Sequence, residues 1–331
     1  LYPYQAKKII LKKIDVEISE LDLAVIEITD WRENHKSAYA RLIKIIAKYS
    51  DCKSDYEFVA RKYDISELKK FTSGINKSSD YKLILDQHLE GRIDLTHLKT
   101  FTIDPSDAMD FDDAISIKST GNQIELFVHI ADVSVFINHH DSVDRVARKY
   151  GNSYYFEEGA FHMLPEDLST NFCSLKPNEK RLALSIKIII DKKYRVIKYD
   201  FIETIISSDS RLTYQEAESI LNSQGKNPLY KKLRLLYELT KSLKEKRLSK
   251  DGLDMNHEEI YFVNNKRGAP VDVKSVLKLK SNIMIEESML LANQLASEHI
   301  FKKVSSNNNF GVYRNHEQPL QNSMSILEDF I

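Results

Sequence analysis

The chain has 331 residues, 42% of them hydrophobic and 29% charged, with a formal net charge of −1, which describes a soluble globular protein of about two domains with an ample core. Overall charge does not announce a nucleic-acid partner, and two distant cysteines without ligand spacing, Cys52 and Cys173, exclude a disulfide framework and point to a reduced compartment. No apolar run approaches membrane-spanning length and no signal peptide is visible, so the expected setting is cytoplasmic, away from membranes.

In chain order, residues 1–65 read as short strands: Lys8 to Leu11, Leu23 to Ile28 and Tyr39 to Ile46, then a short helix over Tyr56 to Tyr63. Short strands carrying Lys, Arg and aromatic residues predict a small β-barrel. Trp31, Tyr39 and Tyr49 are candidate platforms for stacked bases, with barrel core as the competing reading. The first residues, Leu1-Tyr2-Pro3, lack Met and predict that the native chain starts elsewhere.

Residues 66–98 read as a connection, with a polar, turn-rich run over Thr72 to Asp80 and a short helix over Tyr81 to Leu89. Beyond them, Asn122 to Ile137 alternates as a strand after the Thr120-Gly121-Asn122 turn, and Val143 to Tyr150 reads helical. Leu182 to Ile190 and Tyr194 to Ile206 form a strand pair joined at Asp191-Lys192-Lys193. Thr213 followed by Glu216 is a capping box at the head of a helix reaching Leu221.

Leu233, Leu236, Leu239 and Leu243 stripe a helix whose other faces are basic; Lys231 to Lys250 holds eight Lys/Arg against two Glu. A solvated charged face is the favoured reading there, and an RNA-phosphate face the alternative. Ser275 to Phe301 predicts a long buried helix with Met284, Met289, Leu290, Leu291 and Leu295 inward.

The chemistry concentrates between Thr102 and Ala114, where five aspartates fall within ten residues and no Lys or Arg neutralises them. Carboxylates that close must raise their pKa values or share a cation, unless they are fully solvated. Ile103, Ala108, Met109, Phe111, Ala114 and Ile115 thread apolar side chains between them, which argues against full solvation. All-oxygen ligands suit Mg²⁺ and Mn²⁺. Asp104 and Asp110 are six residues apart, a reach of roughly 20 Å if extended, whereas paired catalytic ions sit about 4 Å apart. The chain must therefore turn back, and Pro105-Ser106-Asp107 is suitable turn chemistry. Asp110 and Asp112 share a face of an extended segment, and Asp113 faces away unless the strand bends. An EF-hand is excluded, because the sixth and twelfth positions from Asp110 are Ile115 and Gly121. A solvated acidic turn remains the competing reading.

The run Asp104-Pro105-x-Asp107-Ala108-x-Asp110-Phe111-Asp112-Asp113-Ala114 resembles the signature of the ribonuclease II/ribonuclease R family, whose catalytic module is the RNB domain. Further blocks follow in the family's order: His129 to Ser134, Met163 to Glu166, Cys173-Ser174-Leu175, Arg181 to Ala183, Ile285 to Asn293, and Tyr313 to Pro319. The wording is closer to ribonuclease R. The resemblance implies an α+β protein: a partial OB-type cold-shock barrel over 1–65, a linker over 66–98, and an incomplete RNB domain over 99–331 with mixed sheets and surrounding helices. It implies a 3′-to-5′ exoribonuclease that hydrolyses single-stranded RNA to nucleoside 5′-monophosphates with two Mg²⁺ (or Mn²⁺) ions. The alternative is an RNA-binding or assembly module that keeps the fold with little turnover. A dehalogenase-type phosphatase, suggested by Asp110-x-Asp112, wants Thr where Ala114 stands.

By position in the signature, the resemblance assigns Asp104, Asp110, Asp112 and Asp113 as catalytic metal ligands and leaves Asp107 out. Tyr155 matches the tyrosine that stacks on the terminal base, while Glu286, Asn293 and Arg314 lie in blocks that line the RNA channel. His162 stands where the family usually has Pro. His129 and Asp132 read as strand packing with one satisfied polar pair. A monomer is expected, with an RNA helicase or ribosome-associated factors as partners. The family's Ser-Pro-(Ile)-Arg-Arg segment, which carries a catalytic arginine, and its C-terminal S1 barrel have no counterpart before Ile331, so a fragment is expected.

Overall fold

A computed structural model describes residues 8–12, 17–18, 22–31, 37–47, 54–65, 78–156, 159–223, 225–249, 259–265, 270–276, 278–306, 312 and 317–330. The first strands are β1 (Lys8–Leu11), β2 (Leu23–Asp30) and β3 (Ser37–Ala47), followed by α1 (Ser54–Lys62). They make a three-stranded sheet in the order β1-β3-β2, with β1 parallel and β2 antiparallel to β3. The expected barrel is not closed among the described residues, where this sheet keeps two free edges. Ala38 and Ala40 are buried on it, Trp31 is exposed, and Lys12 lies 4.2 Å from the centre of the Tyr39 ring. Tyr49 and most of the run Thr72 to Asp80 fall outside the described residues.

The main body opens with α2 (Ser78–Gln87), then β4 (Ile93–Asp94), β5 (Thr100–Asp104), β6 (Asp113–Thr120) and β7 (Gln123–Ala131). Next come a 3₁₀ turn over Val133–Val135, α3 (Ser142–Tyr150), the short strands β8 (Tyr154–Phe156) and β9 (Gly159–Phe161), and a helical turn over Leu168–Phe172. The pair β10 (Lys180–Asp191) and β11 (Val196–Ser207) precedes β12 (Ser210–Thr213), α4 (Tyr214–Asn222) and α5 (Tyr230–Leu248). The chain continues through β13 (Glu259–Asn264), β14 (Pro270–Val276), α6 (Lys280–Ser306) and α7 (Gln321–Phe330). No helix among the described residues is long and apolar enough to cross a membrane.

A seven-stranded mixed sheet in the order β12-β5-β6-β7-β10-β11-β4 carries the body. Strand alternation splits its side chains between two cores. On one face, Phe101, Ile103, Ile115, Ile117, Leu126, Val128, Ile186 and Ile188 meet α4, α5 and α6. Leu233, Leu236 and Leu239 of α5 are fully buried there, as their spacing predicts. Each such leucine contributes about 1.5–3 kcal/mol by leaving water. On the other face, Phe111, Ala114, Phe127, Leu182 and Ile206 meet Tyr81 of α2 and the segment holding Leu168, Cys173 and Leu175.

Local chemistry sets the ends of the elements. Asp141 caps α3 by accepting from the Asp144 amide, and Gly151, at φ 77°, closes it in the left-handed conformation that glycine tolerates best. Thr213 and Glu216 form the expected capping box of α4. The basic side chains of α5 are largely engaged within the protein: Lys232 donates to the Ile117 carbonyl, Lys246 to those of Lys193 and Tyr194, and Arg247 pairs with buried Glu287.

Two expectations are corrected. The expected long helix begins at Lys280 rather than Ser275, because residues 270–276 pair with 259–264 in a hairpin that the sequence reading did not anticipate. Alternation over Pro270-Val271-Asp272-Val273-Lys274 is a strand pattern, and Pro270 suits a strand's first position. Leu290 is exposed rather than inward, whereas Met284, Leu291 and Leu295 are buried. The helix period rotates Leu290 off the stripe that Leu291 occupies.

One polar row crosses the sheet. Buried His129 lies between the hydroxyls of Ser116 (2.9 Å, on Nε2) and Ser185 (2.6 Å, on Nδ1). Ser116 continues to Thr100, and Ser185 to Thr204. Burial pushes the imidazole down to about 3, so it is neutral. Asp132 is satisfied separately, by a buried ion pair with Arg92 at 2.6 Å. The two residues are therefore packed as expected, but each has its own partners.

Candidate active site

Pairing between β5 and β6 stops at Phe101 and Ile115, and the two strand ends part. Asp104 ends one strand and Asp113 opens the other, so the loop 105–112 bridges the gap with Asp110 and Asp112 on it. Its first residues turn as the sequence predicts, with the Ala108 amide donating to the Pro105 carbonyl at 3.2 Å. Buried Ser174 then holds the loop's middle: its hydroxyl donates to the Met109 carbonyl and accepts from the Phe111 amide, both at 3.0 Å. The Leu175 amide donates to the Phe111 carbonyl, and the Ala131 amide to that of Asp112. Phe111 is buried in the second core and anchors the loop from below, whereas Met109, expected inward, is exposed and lines the cleft with the acids.

The rim opens onto a cleft of about 650 Å³ lined by Asp104, Asp107, Asp110, Asp112, Tyr155 and His162, among others. Asp104 is 7% exposed, and its Oδ2 is buried without a hydrogen-bond partner. Burial pushes its carboxyl up, against the Thr102 hydroxyl and the Arg211 charge, which favour ionisation. Asp112 is pushed up to about 6 by the protein crowded around its carboxyl and by repulsion from Asp110 and Asp104. Asp113 reaches about 7, through burial and repulsion from Asp104 and Asp112. The four acids thus share one electrostatic field, and Asp113 belongs to it despite its position behind the rim.

No three of these acids bring ligand oxygens within 4.8 Å of one another. Like charges keep apart, and Asp110 is drawn aside by the Tyr155 phenol, which donates to its Oδ2 at 2.7 Å. Burial, then this bond to Asp110, raises the phenol to about 12. Among the described residues, a tighter trio of potential ligands is His139, His140 and Asp144, at the head of α3. There the Arg148 guanidinium donates to Asp144 and to His139 Nδ1, and so already fills the cation's place.

The donor set at the cleft is all oxygen, and a buried carboxylate oxygen has no partner within the protein. Both features fit a hard divalent cation. Tyr155 is 64% exposed, with its ring edge-on to His162 at 6.2 Å between centroids. Phe156 also lines the cleft. Of the remaining sequence candidates, Glu286 pairs with Lys278 and Asn293 is exposed on α6. Neither lines the cleft. Arg314 lies outside the described residues. Glu166 and Thr170 line the cleft without having been singled out as binding residues. Arg211 was missed altogether, because no spacing rule links it to acids about a hundred residues upstream.

Residues 92–331 match the family described as the RNB domain. The chain is 31% identical to ribonuclease R of Aquifex aeolicus over 97% of its own length and 46% of that protein's. It is 29% identical to the exosome complex exonuclease RRP44 of Mus musculus, over 92% of this chain and 32% of that one. The chain thus spans about half the length, or less, of the curated relatives it matches. Among solved structures, Mycoplasma genitalium RNase R in complex with ribose-methylated single-stranded RNA superposes with a TM-score of 0.83 at 22% identity, over 98% of this chain and 51% of that one. Yeast Ssd1, described as a pseudonuclease, gives 0.68 at 19% identity, over 93% and 39%.

Proposed function

The chain belongs to the RNB domain family, and on that premise we propose that it carries the catalytic core of a 3′-to-5′ exoribonuclease that releases nucleoside 5′-monophosphates from single-stranded RNA. The observation that carries this reading is the convergence of Asp104, Asp110 and Asp112 on one cleft beside an exposed tyrosine, with Asp113 coupled to them from behind. Asp104, Asp110, Asp112 and Asp113 would hold Mg²⁺ or Mn²⁺. When bound, a metal pair supplies an activated water and charge stabilisation at the attacking and leaving oxygens of a phosphodiester.

The chain's own residues do the rest. The carboxylates bring negative charge to the rim of the cleft. Tyr155 offers an aromatic face to the terminal base, a contact worth about 1–3 kcal/mol and indifferent to sequence. Phe111 and Ser174 keep the loop that carries Asp110 and Asp112 seated beside the cleft.

The competing reading is an RNA-binding member of the fold without turnover, and the superposition on a pseudonuclease is what favours it. Retention of all four acids favours the enzyme. Incubation with 5′-labelled single-stranded RNA and Mg²⁺ separates the two. A ladder shortening from the 3′ end, with nucleoside 5′-monophosphates as product and none with Asp112→Asn, is expected. RNA binding without shortening by the full-length protein would establish the non-catalytic reading.

A further inference from the structure

Arg211 sits on the edge strand β12, which runs parallel to β5 with Arg211 opposite Thr102 and Thr213 opposite Asp104. From there its side chain reaches over the start of the acid loop. One terminal nitrogen, Nη2, donates to two successive carbonyls, Pro105 at 2.5 Å and Ser106 at 3.0 Å. The guanidinium carbon lies 5.4 Å from the centre of the Phe111 ring. Its charge also favours ionisation of Asp104. One side chain therefore touches the loop's opening turn, its central apolar anchor and the environment of its first acid.

The direction of these contacts decides between two roles. Nη2 is committed to main-chain carbonyls, and Nε is buried. Nη2 faces the loop, and Arg211 is not among the residues that line the cleft, so any effect on chemistry there would pass through the loop. Both carbonyls are reached from one nitrogen, which a lysine ammonium could also do; what lysine, a point charge on a flexible stem, does not reproduce is the planar group lying over the Phe111 ring at the same time.

We propose that Arg211 is a positioning residue. It clamps the Pro105-Ser106 turn to the Phe111 anchor and so fixes the separation between Asp104 and the Asp110, Asp112, Asp113 group, on which divalent-cation affinity depends. The proposal rests on the reading of those four acids as metal ligands. Removing a residue that orients metal ligands typically weakens binding by about 10- to 100-fold.

The test measures Mn²⁺ binding to the purified protein without RNA, by loss of the free-ion paramagnetic resonance signal, for wild type, Arg211→Met, Arg211→Lys and Asp112→Asn. The Mg²⁺ dependence of RNA shortening and the thermal midpoint in EDTA are recorded alongside. Arg211→Met should weaken Mn²⁺ about tenfold or more and shift half-activation to higher Mg²⁺, with much of the rate recovered at saturation. Arg211→Lys keeps the charge but loses the planar contact with the Phe111 ring, and should recover less than half of the lost affinity on a logarithmic scale. Mn²⁺ affinity within twofold of wild type in a folded Arg211→Met protein would overturn the proposal. If that variant does not fold, wild-type affinity in Arg211→Lys would overturn it equally. Full recovery by lysine would also overturn it, by showing that charge alone suffices. Failure of the underlying reading looks different: wild type and Asp112→Asn would then bind Mn²⁺ alike.

Discussion

The phenol of Tyr155 donates to Asp110 Oδ2 at 2.7 Å, so the aromatic wall of the cleft is tied directly to its acidic rim. A cation at the acids and the tyrosine therefore compete for the same carboxylate. Tyr155→Phe should tighten Mn²⁺ by about three- to tenfold, the equivalent of a hydrogen bond of about 1 kcal/mol. Titration of the RNA-free protein measures this, and unchanged affinity would show that Asp110 is no ligand.

Tyr155→Ala removes the ring as well, and should alter where degradation ends rather than whether it starts. On long RNA many phosphate contacts dilute the loss of one stack, but on a short oligonucleotide about 1–3 kcal/mol is roughly 5- to 150-fold. A 5′-labelled 30-mer run to completion should leave a product at least one nucleotide longer than wild type. Tyr155→Phe should leave the product length alone. An identical ladder for all three proteins would move the stacking role to Phe156.

Asp112→Asn keeps the shape of the side chain and removes its charge. Turnover should fall about 10²-fold or more while RNA affinity changes little. A variant retaining a tenth of the wild-type rate would remove Asp112 from the ligand set.

The acids also make stability depend on pH. Their folded-state values, about 6 for Asp112 and about 7 for Asp113, lie above the unfolded value of about 3.9. Such groups support the fold fully below about pH 4, and that support is lost as pH rises through 6 and 7. In EDTA, these groups should lower the thermal midpoint between pH 5 and 8. Mg²⁺, which binds the ionised form, should restore it increasingly over the same interval. Asp113→Asn should flatten the EDTA profile; a profile as steep as wild type would contradict the assignment.

Ser174→Ala strips the hydroxyl that joins Met109 to Phe111. The buried Phe111 amide and the part-buried Met109 carbonyl lose their partner, at a cost of about 1–3 kcal/mol. Urea unfolding should show this loss, and the Mg²⁺ requirement should rise as the loop loosens. Stability equal to wild type would mean that water replaces the hydroxyl.

Much of this was legible beforehand, because it is written in short-range pattern. Alternating Asp and apolar residues announced a loop anchored below and acidic above, and Phe111 and Asp112 behave accordingly. The capping box at Thr213 and the leucine stripe of α5 needed only a period and a cap. What escaped was set by contacts distant in sequence. Arg211 reaches Pro105 and Ser106 through the adjacency of β12 and β5, and no local rule encodes that pairing. Ser174 was visible only as part of a family block. The hairpin of β13 and β14 was obscured by the apolar run that continues past it into α6. Glu286 and Asn293, which a family block places along an RNA channel, lie outside the lining of this cleft, and their place on α6 follows from the helix period rather than from the acid loop.

The polar row through the sheet has a consequence for how the strands find their alignment. The Thr204 hydroxyl gives its proton to the Ala183 carbonyl, and Ser185 can therefore give its own to Thr204. A neutral imidazole at His129 then donates from Nδ1 to Ser185 and accepts on Nε2 from Ser116, with the Thr100 hydroxyl turned to Ser116 at 2.7 Å rather than to the Leu98 carbonyl at 3.3 Å. In this arrangement every group of the row has a partner. Slide β6 or β10 by two residues, the smallest shift that keeps the same face inward, and Ser116 gives way to Ala114 or Lys118, Ser185 to Ala183 or Lys187. The neutral imidazole would then face either a methyl group, with a buried nitrogen unpaired, or a lysine whose charge would have to be buried beside it. The row thus works as a proofreading key for strand register, and the register it selects is the one that brings Asp104 and Asp113 to the same opening.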